Sequence, residues 1–219
     1  MVKKILTCLF TIALASSLNG QDISREEFKR KIISGPRYQD IFFEGEIIST
    51  RRVCKCENRY EIIKSYCQNL PEPFSILDLG AAQGYFCFRL TSDFNAQATA
   101  VECSPTNIEL LTKLIKINQN YSNVILEPRV INRNYLERIV RSKAYDVVIA
   151  TNIIHHLGGS ATQNLRLLSR SGKHVFCEIP VSMHLSSDAI RLGGKLITKL
   201  FRRDNNTLPT ELFYFENDF

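Results

Sequence analysis

Two acids, a turn of small residues and a histidine pair hold most of the chemistry this sequence can offer. Asp78 is the one acid in the apolar run Ile76-Leu77-Asp78-Leu79, and Gly80-Ala81-Ala82-Gln83-Gly84 follows directly. Small residues let a chain turn sharply and let a ligand approach the backbone closely. A helix opening after such a turn offers N–H groups to that ligand. Gly80 and Gly84 are spaced Gly-x-x-x-Gly, so the dinucleotide pattern Gly-x-Gly-x-x-Gly is not met. Glu102 stands 22 residues after Gly80, the distance one strand-helix-strand unit requires. Beyond the apolar run ending at Ala150 comes Thr151-Asn152-Ile153-Ile154-His155-His156-Leu157. Histidine titrates near neutrality, which suits it to take a proton from an attacking oxygen or nitrogen. The competing expectation packs one histidine in the core and exposes the other; for His155 the two stand level.

These groups need elements to place them. Ser75–Leu79 reads as a buried parallel strand, and Tyr85, Phe86, Phe88 and Leu90 suit a helix packed back onto the sheet. Gln97–Val101 is a second strand. Ser104-Pro105 opens a helix over Thr106–Asn118 with Ile108, Leu111, Leu114 and Ile115 on one face. Val124–Leu126, Tyr145–Ala150 and Gly172–Pro180 supply three more strands, with helices around Tyr135–Val140 and Ala161–Leu168. Such alternation predicts an α/β fold, a doubly wound and mostly parallel sheet with helices on both faces. His184–Phe201 is expected as a basic amphipathic helix broken at Gly193-Gly194, and Glu211–Phe215 as one last strand.

The run Asp78-Leu79-Gly80-Ala81-Ala82-Gln83-Gly84 resembles the first motif of class I S-adenosylmethionine-dependent methyltransferases. That motif is usually acid-x-Gly-x-Gly-x-Gly, with Ala82 here in place of the middle glycine. The order of elements matches the family from about Ser75 to Pro180. The resemblance implies a Rossmann-like methyltransferase fold and S-adenosyl-L-methionine as cofactor, with Asp78, Gly80, Ala82 and Gly84 around its methionine moiety. It gives Glu102 the ribose, because one carboxylate can accept hydrogen bonds from both hydroxyls. Adenine falls to the region from Glu127 to Asn132, with no single residue singled out. The run from Thr151 to Leu157 resembles the family's fourth motif, between cofactor and acceptor. Thr151 is then assigned to the cofactor, Asn152 to positioning and His155 to the base. The family normally closes its sheet with a two-strand hairpin, of which one strand is legible here.

At 219 residues and 44% hydrophobic content, the chain suits one domain with a full core and a small appendage. Residues 1–20 have the layout of a secretory signal peptide: Lys3 and Lys4, an apolar run Ile5–Leu14, then small residues. That leader implies export or membrane association, while the supply of the cofactor argues for the cytosol; the two stand in conflict. Residues 21–74 are expected as a small helical N-terminal cap before a main domain over 75–219. Its first helix spans Ile23–Ile33, with Ser24 and Glu27 as a capping box; the second spans Asn58–Leu70. Arg51, Arg52, Lys55 and Arg59 cluster where they would hold an anionic substrate or simply be solvated. The net charge of +6 is scattered rather than striped with aromatics, so there is no strong nucleic-acid signal. Cys54, Cys56 and Cys67 lack a second Cys-x-x-Cys and a nearby histidine, so no metal site is expected. Reduced thiols are the favoured state, with a Cys54 or Cys56 to Cys67 disulfide open if the protein is exported.

The expected function is methyl transfer to an oxygen or nitrogen of a small molecule or glycan. Two rivals stand beside it. One is an exported, non-catalytic binding module that keeps the fold, motivated by the leader. The other is a nicotinamide-dependent oxidoreductase, which needs a pyrophosphate turn that this sequence does not supply.

Overall fold

The computed structural model describes residues 25–34, 39–43, 45–48, 56–117, 123–200 and 209–219. The leader, Ser24 of the capping box, Arg51, Arg52, Cys54 and Lys55 lie outside the described residues. Helix α1 (Arg25–Ser34) and the hairpin of β1 (Ile41–Phe43) and β2 (Glu46–Ile48) are followed by α2 (Glu57–Cys67). Then β3 (Ser75–Leu79), α3 (Tyr85–Phe94), β4 (Gln97–Glu102), α4 (Pro105–Ile117) and β5 (Val124–Pro128) form the first half. The second half is α5 (Arg133–Ser142), β6 (Val147–Ala150), α6 (Ala161–Leu168), β7 (His174–Pro180), α7 (Ser186–Arg191), β8 (Lys195–Leu200) and β9 (Thr210–Glu216).

Seven strands make one sheet in the order β5-β4-β3-β6-β7-β9-β8. The first five are parallel, and β9 pairs antiparallel with both β7 and β8. The doubly wound expectation holds, with β3 between β4 and β6. Alternation along β3 divides the core: Ile76 joins the cluster under α3 and α4, while Leu77 and Leu79 join the one under α5 and α6. Strand order reverses between β3 and β6, which makes the carboxyl ends of those strands the expected ligand crevice.

The cap carries both expected helices and, between them, the β1–β2 hairpin, an element not expected from the sequence. Strands of three residues are too short for a period-2 pattern to show in sequence. Phe28, Ile41, Phe42, Phe43, Tyr60 and Ile63 share one continuous core with Phe86 and Phe88 of α3. Cys56 and Cys67 are both buried. They bracket the 11-residue α2, which puts them about 16 Å apart by helical rise, far beyond disulfide reach.

The far edge also differs from expectation. The basic helix over 184–201 is limited to α7, and β8 follows, so the closing two-strand hairpin is complete. Gly193 adopts φ +88° where the helix ends, and a Cβ at Gly194 would lie 2.6 Å from the Phe215 ring and 2.8 Å from the Ala189 carbonyl oxygen. Only glycine lets the chain leave α7 and run back alongside β9 this closely. Gly194→Ala should therefore cost about 1–3 kcal/mol by overpacking. Urea unfolding monitored by far-UV circular dichroism measures this, and wild-type stability would mean that β8 does not pack as described.

Candidate active site

The turn between β3 and α3 is held by its own backbone. Gly80, Ala82 and Gly84 all sit at positive φ, +78°, +50° and +76°. The left-handed region costs Ala82 roughly 1–2 kcal/mol. A Cβ on Gly84 would stand 2.6 Å from Leu111 Cδ1 and 3.0 Å from the Phe88 ring, so the turn sits flush on α3 and α4. The Gly80 and Ala81 amides both donate to the Val101 carbonyl, at 2.9 and 3.0 Å, and the Gly84 amide donates to Ala81 O at 2.7 Å. The Ala82 amide donates to Glu102 Oε2 at 2.8 Å. Four amides of the turn are thus committed inside the protein.

Glu102, which closes β4, is the partner that orders this turn. Its Oε1 accepts from the Cys103 amide at 2.8 Å and the Ser104 amide at 2.7 Å, while Oε2 accepts from Ala82. Three of a carboxylate's roughly four acceptor positions are therefore in use. A grip on two ribose hydroxyls would require one of these amides to yield.

Asp78 points to the α3 side of the sheet and is only 1% exposed. The Cys87 thiol of α3 donates to its Oδ2 at 3.6 Å. Burial, with a smaller push from the Glu102 charge, raises the Asp78 carboxyl to about 7. Gln83 is also buried: its Oε1 accepts from the Gln39 amide of the cap at 3.0 Å, and its Nε2 donates to Asn107 Oδ1 of α4 at 2.7 Å.

Thr151 and Asn152 leave β6 half-buried, and Asn152 takes a left-handed φ of +59°. A Cβ at Gly80 would lie 3.0 Å from Ile153 Cδ1, so the loop beyond β6 packs against the turn. Ile154 anchors the following 3-10 turn (Ile154–His156) in the core. His155 and His156 are both exposed, their ring centroids 3.9 Å apart. Neither histidine is a packed core residue. Of the adenine candidates, Glu127 is engaged by Arg129, Arg138 and Tyr135, and Asn132 caps α5 by accepting from the Tyr135 amide.

Register brings one further group to this end of the sheet. Asp78, Ile149 and Phe176 are paired neighbours, so two residues on stand Gly80, Thr151 and Glu178. Glu178 is fully buried, and Arg59 of α2 meets it through two 2.7 Å bonds, Nε to Oε2 and Nη2 to Oε1. Arg59 is therefore not part of a basic cluster open to an anionic substrate. Nothing in the linear sequence signals this pair, since 119 residues separate its members. Among the described residues, no group of three or more His, Cys, Asp or Glu side chains is placed to hold a metal ion.

Residues 72–190, more than half of the 219-residue chain, match a family model described as a methyltransferase domain. No curated protein sequence matches the chain. Among solved structures, WbdD in complex with the kinase inhibitor LY294002 superposes with a TM-score of 0.65 at 20% identity, over 87% of this chain and 47% of that one. A second WbdD structure, described as a bifunctional kinase-methyltransferase, gives 0.63 at 19% identity, over 87% and 46%. This chain thus spans about half the length of the WbdD chains it matches. The N-terminal domain of EvdMO1 with SAH bound gives 0.62 at 12% identity, over 90% and 98%. At these identities the likeness is one of fold.

The Asp78 environment has a consequence for stability. Its native value near 7 lies above its ordinary value of 3.8, so the native state binds more protons between the two. Stability from this group therefore falls as pH rises from about 4 through about 7. Asp78→Asn should raise the melting temperature of the ligand-free protein at pH 8, with the gain shrinking towards pH 4. Thermal scans of both proteins across that range test this; parallel curves would refute a buried, reluctant carboxylate.

Proposed function

The chain belongs to the methyltransferase-domain family, and on that premise we propose that it transfers the methyl group of S-adenosylmethionine to an oxygen or nitrogen of a small molecule or glycan. The observation that carries the reading is the tight turn of residues 80–84 over a buried Asp78, tied by Glu102 to the end of β4. A buried carboxylate with no cationic partner among the described residues suits an ammonium group, such as that of the methionine moiety. Gly80, Ala82 and Gly84 shape the backbone against which that moiety would lie. Glu102 would take the ribose, exchanging one backbone amide for hydroxyl donors. The same turn disfavours the nicotinamide rival, because amides already bound to Val101, Ala81 and Glu102 do not face a pyrophosphate.

When bound, S-adenosylmethionine supplies a methyl group already activated by its attachment to a sulfonium. The chain's own residues then have to orient the acceptor and remove its proton. Alignment of reacting groups is worth about 7–11 kcal/mol in the best cases. Thr151 and Asn152 stand beside the turn, where Thr151 would contact the cofactor and Asn152 would orient the acceptor. His155 is exposed on an anchored turn, so its imidazole can take the proton and return it to solvent.

Calorimetry with S-adenosylmethionine and S-adenosylhomocysteine tests the cofactor. Wild type should bind both, and Glu102→Ala should bind at least about tenfold more weakly, the loss of one to two charge-assisted hydrogen bonds. No binding by wild type, or full binding by Glu102→Ala, counts against the assignment. An assay for release of S-adenosylhomocysteine over metabolite and glycan pools tests the transfer. His155→Ala should keep cofactor binding and lose about 10²–10⁴-fold in turnover. Normal turnover by that variant would remove His155 from the base role.

A further inference from the structure

We propose that Arg59 and Glu178 are a positioning pair that latches the N-terminal cap across the acceptor side of the site, making α2 a fixed wall of the acceptor pocket. What that wall faces rests on the methyl-transfer reading. The latch itself rests on geometry. Glu178 stands in line with Gly80 and Thr151 at the carboxyl ends of three neighbouring strands. The 3-10 turn bearing His155 follows β6, the strand between them. From the other side, Arg59 reaches Glu178 with two parallel N–H donors, and the Thr210 hydroxyl of β9 donates to the same carboxylate. Both charged side chains are almost fully buried, with exposures of 6% and 1%.

Burial of this kind is poor value as stabilisation. Desolvating two charges commonly cancels their attraction, and apolar residues of similar volume do as well or better. What a two-point guanidinium–carboxylate contact does supply is direction: it fixes both separation and angle between the elements that carry it. Here those elements are the cap helix and the strand next to the base-bearing loop. Other contacts also hold α2: Arg89 of α3 lies 3.9 Å over the Tyr60 ring and bonds Glu57 at 2.9 Å, and the Tyr66 ring packs 5.4 Å from Phe176 of β7 and 4.5 Å from Tyr214 of β9. Those contacts secure α2 to α3 and its C-terminal turn to β7 and β9. The Arg59–Glu178 pair adds the polar tie at the N-terminal end of α2, to β7 two residues beyond Phe176, and so sets how that end of the helix lies over the strand ends.

The test uses two variants of the full chain, Glu178→Gln and the double substitution Arg59→Met with Glu178→Leu. An apolar pair keeps or raises stability, so the double variant separates orientation from stability. Its melting temperature should not fall, and its affinity for S-adenosylhomocysteine should match wild type, because the turn and Glu102 are untouched. Turnover in the metabolite and glycan pools should drop by about 10²-fold, the effect of a misplaced wall. Amides of α2 and the β1–β2 hairpin should exchange with deuterium about tenfold faster, while those of β3 and β4 do not. If the double variant does not fold, Glu178→Gln carries the same readouts. Wild-type turnover and exchange in the folded variants overturn the proposal, and so does a turnover loss that merely tracks a falling melting temperature. If wild type neither binds S-adenosylhomocysteine nor turns over, the function reading fails, and cap exchange alone still decides the latch.

Discussion

The arrangement of this site depends on one carboxylate used as a structural staple. Glu102 gathers the amides of Ala82, Cys103 and Ser104, drawing the end of β4 and the turn after β3 onto a common point. Ala82 is not a glycine, yet it adopts a left-handed backbone. A charge-assisted hydrogen bond to its amide is worth about 1.5–3 kcal/mol, enough to offset that strain. With the turn in place, Gln83 is carried to where it bridges the cap at Gln39 and α4 at Asn107. One acid thus orders a turn, and the turn in its place orders two neighbouring layers.

Polar burial around the site has a common logic. Asp78 is accompanied by a thiol, Glu102 by three amides, Gln83 by an amide and an asparagine, and Glu178 by an arginine and a threonine. Partners of this kind keep buried polar groups affordable in a low-dielectric interior. Asp78 stands apart, because a thiol is a weak donor and its carboxyl remains reluctant to ionise.

Local features were legible in the sequence. The strand over 75–79, the small-residue turn and the acid at the end of β4 are defined by neighbours or by one strand-helix-strand repeat. The Arg59–Glu178 pair was not, since Arg59 reads as one of a basic cluster and Glu178 as an acid near a strand end that could line the substrate side, and only the folded register joins them. Strand β8 was hidden because Leu196, Ile197 and Leu200 satisfy a helical period as readily as a bulged strand. Its real marker was the Gly193-Gly194 step, which ends a helix rather than merely interrupting one. The exposure of both histidines follows from Ile154 and Leu157 taking the inward positions of that loop.

The placement of β9 bears on how such a chain is made. It comes after every other described strand in the sequence, yet it lies inside the sheet, between β7 and β8. Six of its seven residues are buried. During vectorial synthesis β8 therefore emerges before the strand on which it must lean, and β7 presents an unpaired, apolar edge until residues 210–216 leave the ribosome. Unpaired strand edges are templates for wrong pairing. A nascent chain of this protein passes through an interval in which β3 to β8 are available and the sheet is still open, an interval that a molecular chaperone is suited to cover.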